Sequence, residues 1–295
     1  MSKILVSGLV NIETSLEVNN FPIEYCPIEY PFHKISTCVS GVGFNVSKAL
    51  KTLGSDVYLT SIIGNDINGE VITKEIDKVG IPCNFIKEDT TATSLILVDS
   101  TGRRKIYCDL KSLQERSLLS KEDTSLDNID LAVLTNINYN RELLHICKEM
   151  GITIACDVHV LTNIHDEYNK EFIECSNILF LSNEGTIGFE GTFMKDLYNL
   201  YHNDLIVMGC GIDGVLAYVG KEDEFYTSKA KAPKGVKSTV GAGDALFSSF
   251  IHFYHKGYEL QRCLDLATLF AGIKISCSGG SNGFISEEEL LDSEL

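Results

Sequence analysis

Short apolar runs rich in β-branched residues alternate along most of the chain with stretches that carry the helical period. The runs predicted as strands are 4–6, 57–63, 131–135, 152–156, 178–181 and 205–208. A continuous apolar run is typical of a strand buried on both faces, and helical crossovers between such strands are typical of a parallel sheet. The pattern therefore predicts an α/β fold with a doubly wound, mostly parallel sheet flanked by helices.

Two segments, 11–39 and 93–108, interrupt this alternation and carry no helical period. The second has the outline of a hairpin, because 94–98 and 104–107 flank a turn of suitable residues at 99–102. Both segments are predicted to form a small second sheet, which is either a β-sheet lid over a ligand site or an edge hairpin without that role. No repeat or low-complexity linker separates the parts, so a single domain over 1–295 is expected.

The acidic composition limits the expected partners. A formal net charge of −16 gives a surface that repels phosphate backbones and anionic lipid, so neither nucleic acid nor a membrane is expected. The chain shows no long apolar window and no charged leader, and none of its ten cysteines stand at CxxC spacing. A cytoplasmic protein with reduced cysteines is expected.

The sharpest motif is STVGAGD at 238–244, which a helical pattern follows as far as Gly257. Free N–H groups at a helix start bind anions, and the small residues Gly241, Ala242 and Gly243 let a phosphate approach them. Asp244 has two interpretations: it caps the helix, or it does acid–base work on the group that attacks the phosphate. The spacing alone does not separate the two.

A second glycine-rich helix start, SGVGFN, lies at 40–45, and its helical pattern closes at Gly54. Main-chain amides around Gly41 and Gly43, with the side chain of Asn45, could hold the hydroxyl groups of a ligand. The alternative is a tight turn into a helix that packs on the sheet.

Together, the two motifs resemble the paired signatures of the ribokinase-like, or PfkB-type, carbohydrate kinases. The first signature corresponds to 41–45 with Gly54, 64–66 and Gly69, and the second corresponds to 239–244. The resemblance covers nearly the whole chain and implies an ATP-dependent phosphotransferase that phosphorylates a hydroxyl of a sugar or sugar-containing small molecule, with Mg²⁺ at the phosphates. It further implies that Asp244 is the general base and that the amides of Gly241, Ala242 and Gly243 form the anion hole.

The resemblance also assigns residues to the two substrates. Acceptor hydroxyls would contact Asn11, Glu13, Gly41, Gly43 and Asn45, and ATP would contact Asn183, Gly209 and Gly211. The lid would correspond to the segments 11–39 and 93–108, and a homodimer through this lid is an arrangement that the resemblance allows.

Four positions depart from the family pattern, and one of them is His159, which follows Asp157 where many relatives have Asn. An Asn-x-x-Glu motif near the metal begins at Asn183 but ends at Thr186, so Glu184 or a water would have to substitute. Ser238 replaces the Asp that usually opens the second signature, which weakens the inference of a monovalent cation as a further cofactor. Val42 stands where ribokinases have Lys, so an ordinary ribokinase is not expected.

Several rival interpretations stay open. A nucleoside kinase of the same family, of ribonucleoside or pseudouridine type, would carry the same signatures. The run 209–214 fits the GxGxxG of NAD-binding oxidoreductases, but 215–219 read as a strand where that fingerprint needs a helix. A non-catalytic sugar sensor is compatible with the broken Asn-x-x-Glu. His252 and His255 are predicted to be helix-surface residues rather than metal ligands.

Overall fold

The computed structural model describes residues 3–116 and 126–293. Within these ranges the strands are β1 Lys3–Ser7, β2 Asn11–Glu17, β3 Ile35–Ser40, β4 Val57–Gly64, β5 Cys83–Glu88, β6 Thr93–Val98, β7 Arg104–Asp109, β8 Ile129–Leu134, β9 Thr153–Val160, β10 Ile178–Ser182, β11 Leu205–Gly209, β12 Val215–Val219 and β13 Glu224–Ser228. The helices are α1 Val42–Thr52, α2 Ile67–Val79, α3 Arg141–Glu149, α4 Lys170–Cys175, α5 Glu190–Tyr201, α6 Ala242–His255, α7 Leu260–Lys274 and α8 Glu287–Asp292.

A large sheet forms the centre of the fold, with its described strands in the order β13-β12-β11-β10-β9-β8-β1-β4-β5. The pairings from β11 to β5 are parallel, whereas β12 and β13 pair antiparallel at one edge. The apolar runs predicted as strands at 57–63, 178–181 and 205–208 lie in β4, β10 and β11. The prediction of a doubly wound, mostly parallel sheet is confirmed.

Helices cover both faces of this sheet, which explains the continuous apolar runs. Successive side chains of a strand point to opposite faces, so a strand covered on both sides has no polar alternation. On β1, Ile4 and Val6 belong to a core that includes Phe44 of α1 and Phe247 of α6. Leu5 belongs to the opposite core, with residues of α3, α4 and α5. Among the described residues, no helix is long and apolar enough to cross a membrane.

The two segments without a helical period form a second sheet, the lid, with its described strands in the order β3-β2-β6-β7. β2 pairs antiparallel with β3 and parallel with β6, and β6 pairs antiparallel with β7. Asp99 holds the β6–β7 turn, because its carboxylate accepts hydrogen bonds from the N–H groups of Thr101 and Arg103. The prediction of a small second sheet is confirmed, and the short connection from β1 to β2 puts it at the carboxyl end of the large sheet.

The prediction of a surface position for His252 is wrong. This side chain is 3% exposed; its Nδ1 lies 2.7 Å from the hydroxyl of Ser55, and its Nε2 lies 3.1 Å from the carboxylate of Glu287. Burial lowers the pKa of His252, which favours the neutral ring. The helical period could not reveal this burial, because the contact comes from α8, far along the chain. His255 is partly exposed.

Candidate active site

The carboxyl ends of the parallel strands, the lid and the start of α6 surround one pocket. Ligands of open α/β sheets bind in this place, outside the carboxyl ends of the strands. Of the residues predicted from sequence, the pocket brings together Asn11, Glu13, Gly41, Asn45, Gly241, Gly243 and Asp244. The two glycine-rich motifs, distant in sequence, therefore line one site.

Asp244 lies in the first turn of α6 and lines this pocket. The residue that precedes the helix is Gly241, so Asp244 does not occupy the N-cap position. Its Oδ2 instead accepts a hydrogen bond of 2.7 Å from Nδ2 of Asn45 in α1. Burial raises the pKa of Asp244, and the hydrogen bond from Asn45 acts against that rise. A carboxylate with one oxygen fixed and a raised pKa has the properties of a general base.

The start of α6 leaves main-chain donors unused. The N–H of Ala242 donates to the carbonyl of Thr239, so this amide is engaged in the turn. Among the described residues, no main-chain carbonyl accepts a hydrogen bond from the N–H of Gly241, Gly243 or Asp244. A Cβ added at Gly243 would meet nothing within 4 Å. Gly241 has a φ of +77°, a conformation that favours glycine. The space beside Gly243 is therefore open, whereas Gly241 packs closely against the main chain of Gly280.

Glu13 and Asn11 of β2 also line the pocket. Oε2 of Glu13 accepts a hydrogen bond of 2.7 Å from Ser40, and Oε1 accepts one of 3.2 Å from Ser15. Oδ1 of Asn11 is buried and has no hydrogen-bond donor among the described residues. Both side chains present oriented acceptor oxygens, which suit the hydroxyl groups of a ligand.

The glycines of the first motif are packed tightly. A Cβ at Gly41 would lie 2.4 Å from the carbonyl oxygen of Leu9, and a Cβ at Gly43 would lie 2.4 Å from the carbonyl oxygen of Gly8. The N–H of Gly43 donates to the carbonyl of Leu9, so it is not free for a ligand. The absence of a side chain at Gly43 allows α1 to approach the end of β1 closely. Gly41 also lines the pocket.

The residues predicted for the nucleotide lie near the ends of β10 and β11. Asn183 follows β10, and Gly209 ends β11 beside Leu246 of α6, which a Cβ at that glycine would meet at 3.6 Å. Gly211 stands in the next turn with a φ of +55°. This turn leads into the strand β12, as predicted, so the GxGxxG run lacks the helix that a dinucleotide fingerprint requires.

The end of β10 lies beside a carboxylate that the sequence did not indicate. Nδ2 of Asn183 donates to Oε1 of Glu190, the first residue of α5, over 3.1 Å. Glu184, which was predicted for the metal, is exposed on the turn after β10. Within 3–116 and 126–293, no group of three or more His, Cys, Asp or Glu side chains is arranged to hold a metal.

Three residues near the site were missed by sequence reasoning: Glu190, Arg104 and Lys274. Arg104 of β7 donates to the hydroxyl of Thr239 over 2.8 Å, so the lid touches the second motif. Lys274 is buried at the end of α7 and donates to the carbonyl of Val240. Glu190 and Lys274 have no distinctive signal, because acidic residues are common in first helical turns and lysines in last turns for reasons of the helix dipole. Arg104 is an exposed residue of β7, where a charged side chain is ordinary.

Comparison with known proteins places these features in a family. The sequence profile of the pfkB family carbohydrate kinase matches residues 1–287. The bifunctional protein HldE of Shewanella sp. (strain W3-18-1) is 21% identical over 265 residues, which cover 85% of this chain and 55% of that protein. The chain thus spans about half the length of this curated relative. The acarbose 7(IV)-phosphotransferase of Actinoplanes sp. (strain SE50/110) is 22% identical over 302 residues, which cover 98% of this chain and 97% of that protein.

Solved structures share the fold. A microbiome-derived acarbose kinase has a TM-score of 0.89 and 19% identity, covering 99% of this chain and 98% of that one. The ribokinase of Cryptococcus neoformans var. grubii, solved in complex with ADP, has a TM-score of 0.81 and 19% identity. The match covers 99% of this chain and 100% of that one. Because the family profile matches almost the whole length, the chain belongs to the pfkB family of carbohydrate kinases.

Proposed function

We propose that the protein is an ATP-dependent phosphotransferase that transfers the γ-phosphoryl group of ATP to a hydroxyl of a sugar or sugar-containing small molecule. The observation that carries this proposal is the hydrogen bond between Asn45 and Asp244, which joins the two signature helices at the lining of the pocket. The carboxylate stands beside free N–H groups at a helix start, so a base and an anion-binding site share one pocket. Phosphoryl transfer needs both at the same point.

In the proposed mechanism Asp244 accepts the proton of the attacking hydroxyl through Oδ1, while its Oδ2 stays bound to Asn45. The O–H bond breaks as the oxygen forms a bond to phosphorus, and the bond from phosphorus to the leaving oxygen of ADP breaks. The amides of Gly241 and Gly243 donate to the phosphoryl oxygens, where negative charge is concentrated. The N–H of Ala242, which the sequence analysis assigned to the anion hole, already donates to the carbonyl of Thr239.

Asn183 and Glu190 lie at the ends of β10 and of the following loop, outside the lining of the pocket, and their side chains suit a nucleotide with its magnesium. Mg²⁺ is usually bound by one or two carboxylates together with substrate phosphates, so a cluster of three protein ligands is not required. When bound, Mg²⁺ neutralises the charge of the phosphates. We propose Glu190 as the metal-side carboxylate in place of Glu184. A main-chain hydrogen bond at its own residue and the bond from Asn183 lower the pKa of Glu190, which keeps it charged.

The acceptor side suits a polyhydroxylated molecule. The Glu13 carboxylate is held by Ser40 and Ser15 and retains lone pairs for two neighbouring hydroxyls, so it selects a diol. The buried Oδ1 of Asn11 can accept one further hydrogen bond. A sugar or the ribose of a nucleoside meets these requirements, and the rest of the acceptor would contact the apolar lining.

A ligand panel tests the proposal. Thermal unfolding is measured with a non-hydrolysable ATP analogue and with pentoses, hexoses, acarbose or ribonucleosides. A ligand at a concentration of about 100 times its dissociation constant adds roughly 2.7 kcal/mol to the free energy of unfolding. Compounds that bind are then incubated with ATP, and the product mass is checked for one added phosphoryl group. A ribonucleoside product would select the nucleoside-kinase alternative. Binding of an acceptor without turnover would support a sensor, and a shift with NAD alone would reject the kinase.

We also propose a homodimer that forms through the lid. Apolar side chains of the lid strands are exposed, among them Ile35 at 58% and Tyr107 at 48%. Exposed apolar surface of this kind is typical of interaction sites. We expect a dimer by size-exclusion chromatography with light scattering and a monomer for Ile35→Asp; a monomeric parent protein would reject this proposal.

A further inference from the structure

Lys274, the last residue of α7, has no exposed surface. Lysine is almost never fully buried unless its charge has partners. Its ammonium donates to the main-chain carbonyls of Val240 and Gly279, the second over 2.8 Å. Both acceptors are neutral carbonyl oxygens, the kind of group that surrounds monovalent cations in proteins. The ammonium therefore occupies a place chemically suited to such a cation.

The two carbonyls belong to segments that build the anion-binding site. Val240 directly precedes Gly241, where α6 begins. The turn at 279–280 packs against the same glycine, because a Cβ at Gly241 would lie 2.3 Å from the carbonyl oxygen of Gly280. Lys274 thus ties this turn to the loop that carries the free amides.

The same turn borders the acceptor side of the pocket. A Cβ at Gly280 would lie 2.9 Å from Nδ2 of Asn45 and 3.4 Å from Oε2 of Glu13. Burial lowers the pKa of Lys274, and the charges of Asp244 and Glu13 act against that change. Burial raises the pKa of Asp244, and the charge of Lys274 acts against that rise. The ammonium is therefore coupled electrostatically to both carboxylates of the site.

A monovalent cation, which the family resemblance implied, does not fit beside this ammonium. The converging carbonyls of Val240 and Gly279 already accept hydrogen bonds from Lys274. The motif opens with Ser238, whose hydroxyl accepts a hydrogen bond from the N–H of Val240 and supplies no balancing charge. A second positive charge at this point would be repelled by the first in a region shielded from water.

We propose that the ammonium of Lys274 is a built-in cation of the phosphoryl-transfer site, which holds the loop 240–243 in its anion-binding form and makes added K⁺ or Na⁺ unnecessary. The inference rests on the proposed phosphotransferase activity. Lys274 is a positioning residue, since it acts through the carbonyl of Val240 on the amides that follow.

The first test uses the unaltered protein. Turnover is measured in potassium, sodium and tetramethylammonium chloride at equal ionic strength, so that general screening is constant. We expect the three values of kcat to agree within about twofold, a barrier difference too small to indicate a bound cation. Stimulation by K⁺ of more than about fivefold would overturn the proposal.

The second test separates the charge of Lys274 from its volume. Lys274→Ala removes the ammonium and leaves space, so we expect turnover to fall on the order of 10²-fold, as when an anion-hole donor is lost. Added K⁺ or ammonium should raise the turnover of this variant about fivefold or more. Lys274→Met should show the same loss without restoration, because its side chain fills the space. Lys48→Ala, which removes a lysine paired with Glu75, is the control and should not respond to K⁺.

A folded Lys274→Ala variant that K⁺ and ammonium fail to restore would also overturn the proposal. If this variant does not fold, as judged by circular dichroism, the cation response of the unaltered protein decides alone. Affinity for a non-hydrolysable ATP analogue, measured by calorimetry in the same buffers, gives a readout that needs no acceptor. We expect it to be independent of K⁺ in the unaltered protein. A protein that binds the analogue in this way but phosphorylates nothing would reject the proposed function and not the built-in cation.

Discussion

The two glycine-rich helix starts look alike in sequence but use their glycines for different purposes. At the start of α1, Gly43 lies against Gly8, and its N–H donates to Leu9. At the start of α6, Gly243 faces open space and its N–H has no main-chain acceptor among the described residues. Gly43 therefore allows close packing of α1, whereas Gly243 leaves a main-chain donor free. A glycine pattern alone does not distinguish these uses.

The hydrogen bond from Asn45 to Asp244 connects the two motifs and divides the work between them. In the proposed mechanism the second motif supplies the base and the anion site, while the first supplies the side chain that orients the base. The first motif also extends to the acceptor, because Ser40 at its opening donates to Glu13. Substitutions in the second motif should therefore change the rate of phosphoryl transfer. Substitutions in the first motif should change the fold, the orientation of Asp244 or the affinity for the acceptor.

The largest effect is expected for Asp244→Asn, which keeps the shape of the side chain but removes the basic oxygen. We expect kcat to fall by about 10²–10⁴-fold while ATP affinity is retained, because the amides stay in place. The pKa of Asp244 is raised in the folded protein, so any stability linked to its protonation is present at low pH and lost as pH rises through that pKa. At neutral pH the variant should therefore unfold at the same temperature as the parent or higher.

Asp66 provides the matched control, because it is an aspartate that does cap a helix. Its carboxylate accepts hydrogen bonds from the N–H of Gly69 at the start of α2 and from Thr91. Asp66→Ala should cost about 0.5–2 kcal/mol of stability and leave kcat nearly unchanged. If kcat of Asp244→Asn lies within about threefold of the parent value, the assignment of Asp244 as the base is rejected. A threefold change corresponds to only roughly 0.65 kcal/mol in the activation free energy.

The next effect is expected for Glu13→Ala. Hydrogen bonds to charged groups contribute about 1.5–3 kcal/mol, so KM for the acceptor should rise roughly 10- to 100-fold. KM for ATP should change little, because Glu13 lies on the acceptor side of the pocket. Steady-state kinetics with each substrate varied in turn provide the measurement. Ser15→Ala, which removes the longer hydrogen bond to the carboxylate, serves as the mild control, and an unchanged KM for the acceptor in Glu13→Ala would reject the assignment.

Much of this arrangement was predictable from sequence, for identifiable reasons. Buried parallel strands leave continuous apolar runs, and glycines before a helical period mark the two helix starts, so the fold was predicted and Asp244 was placed at a helix start that lines the pocket. The contact of Asn183 with Glu190 was not predicted, because it depends on the distance between two loop ends, which the spacing of the Asn-x-x-Glu motif does not encode. Lys274 was missed for a similar reason, because its carbonyl partners lie in the loop before α6 and the turn after α7.

A pair of glycine substitutions tests the comparison of the two motifs directly. Gly43→Ala should destabilise the protein by about 1–3 kcal/mol, because the new Cβ would meet the backbone of Gly8 at 2.4 Å. Gly243→Ala should leave stability nearly unchanged, since its space is open, and should weaken ATP binding. Denaturant unfolding and calorimetric titration measure the two outcomes. Equal destabilisation by both substitutions would show that the motifs do not differ as described.

The smallest effect is expected in the pH dependence of Asn45→Ala. Asp244 must be unprotonated to act as a base, so kcat falls as pH drops through its pKa. Burial raises this pKa and the hydrogen bond from Asn45 lowers it, so removal of the donor should raise it further and move the acid limb of the kcat profile to higher pH. Because a hydrogen bond contributes about 1 kcal/mol, turnover on that limb should fall about fivefold, with a smaller change on the plateau. Asn45→Asp adds a like charge beside Asp244 and should move the limb further in the same direction. An acid limb that stays in place in both variants would mean that Asn45 only packs against the carboxylate and does not set its protonation.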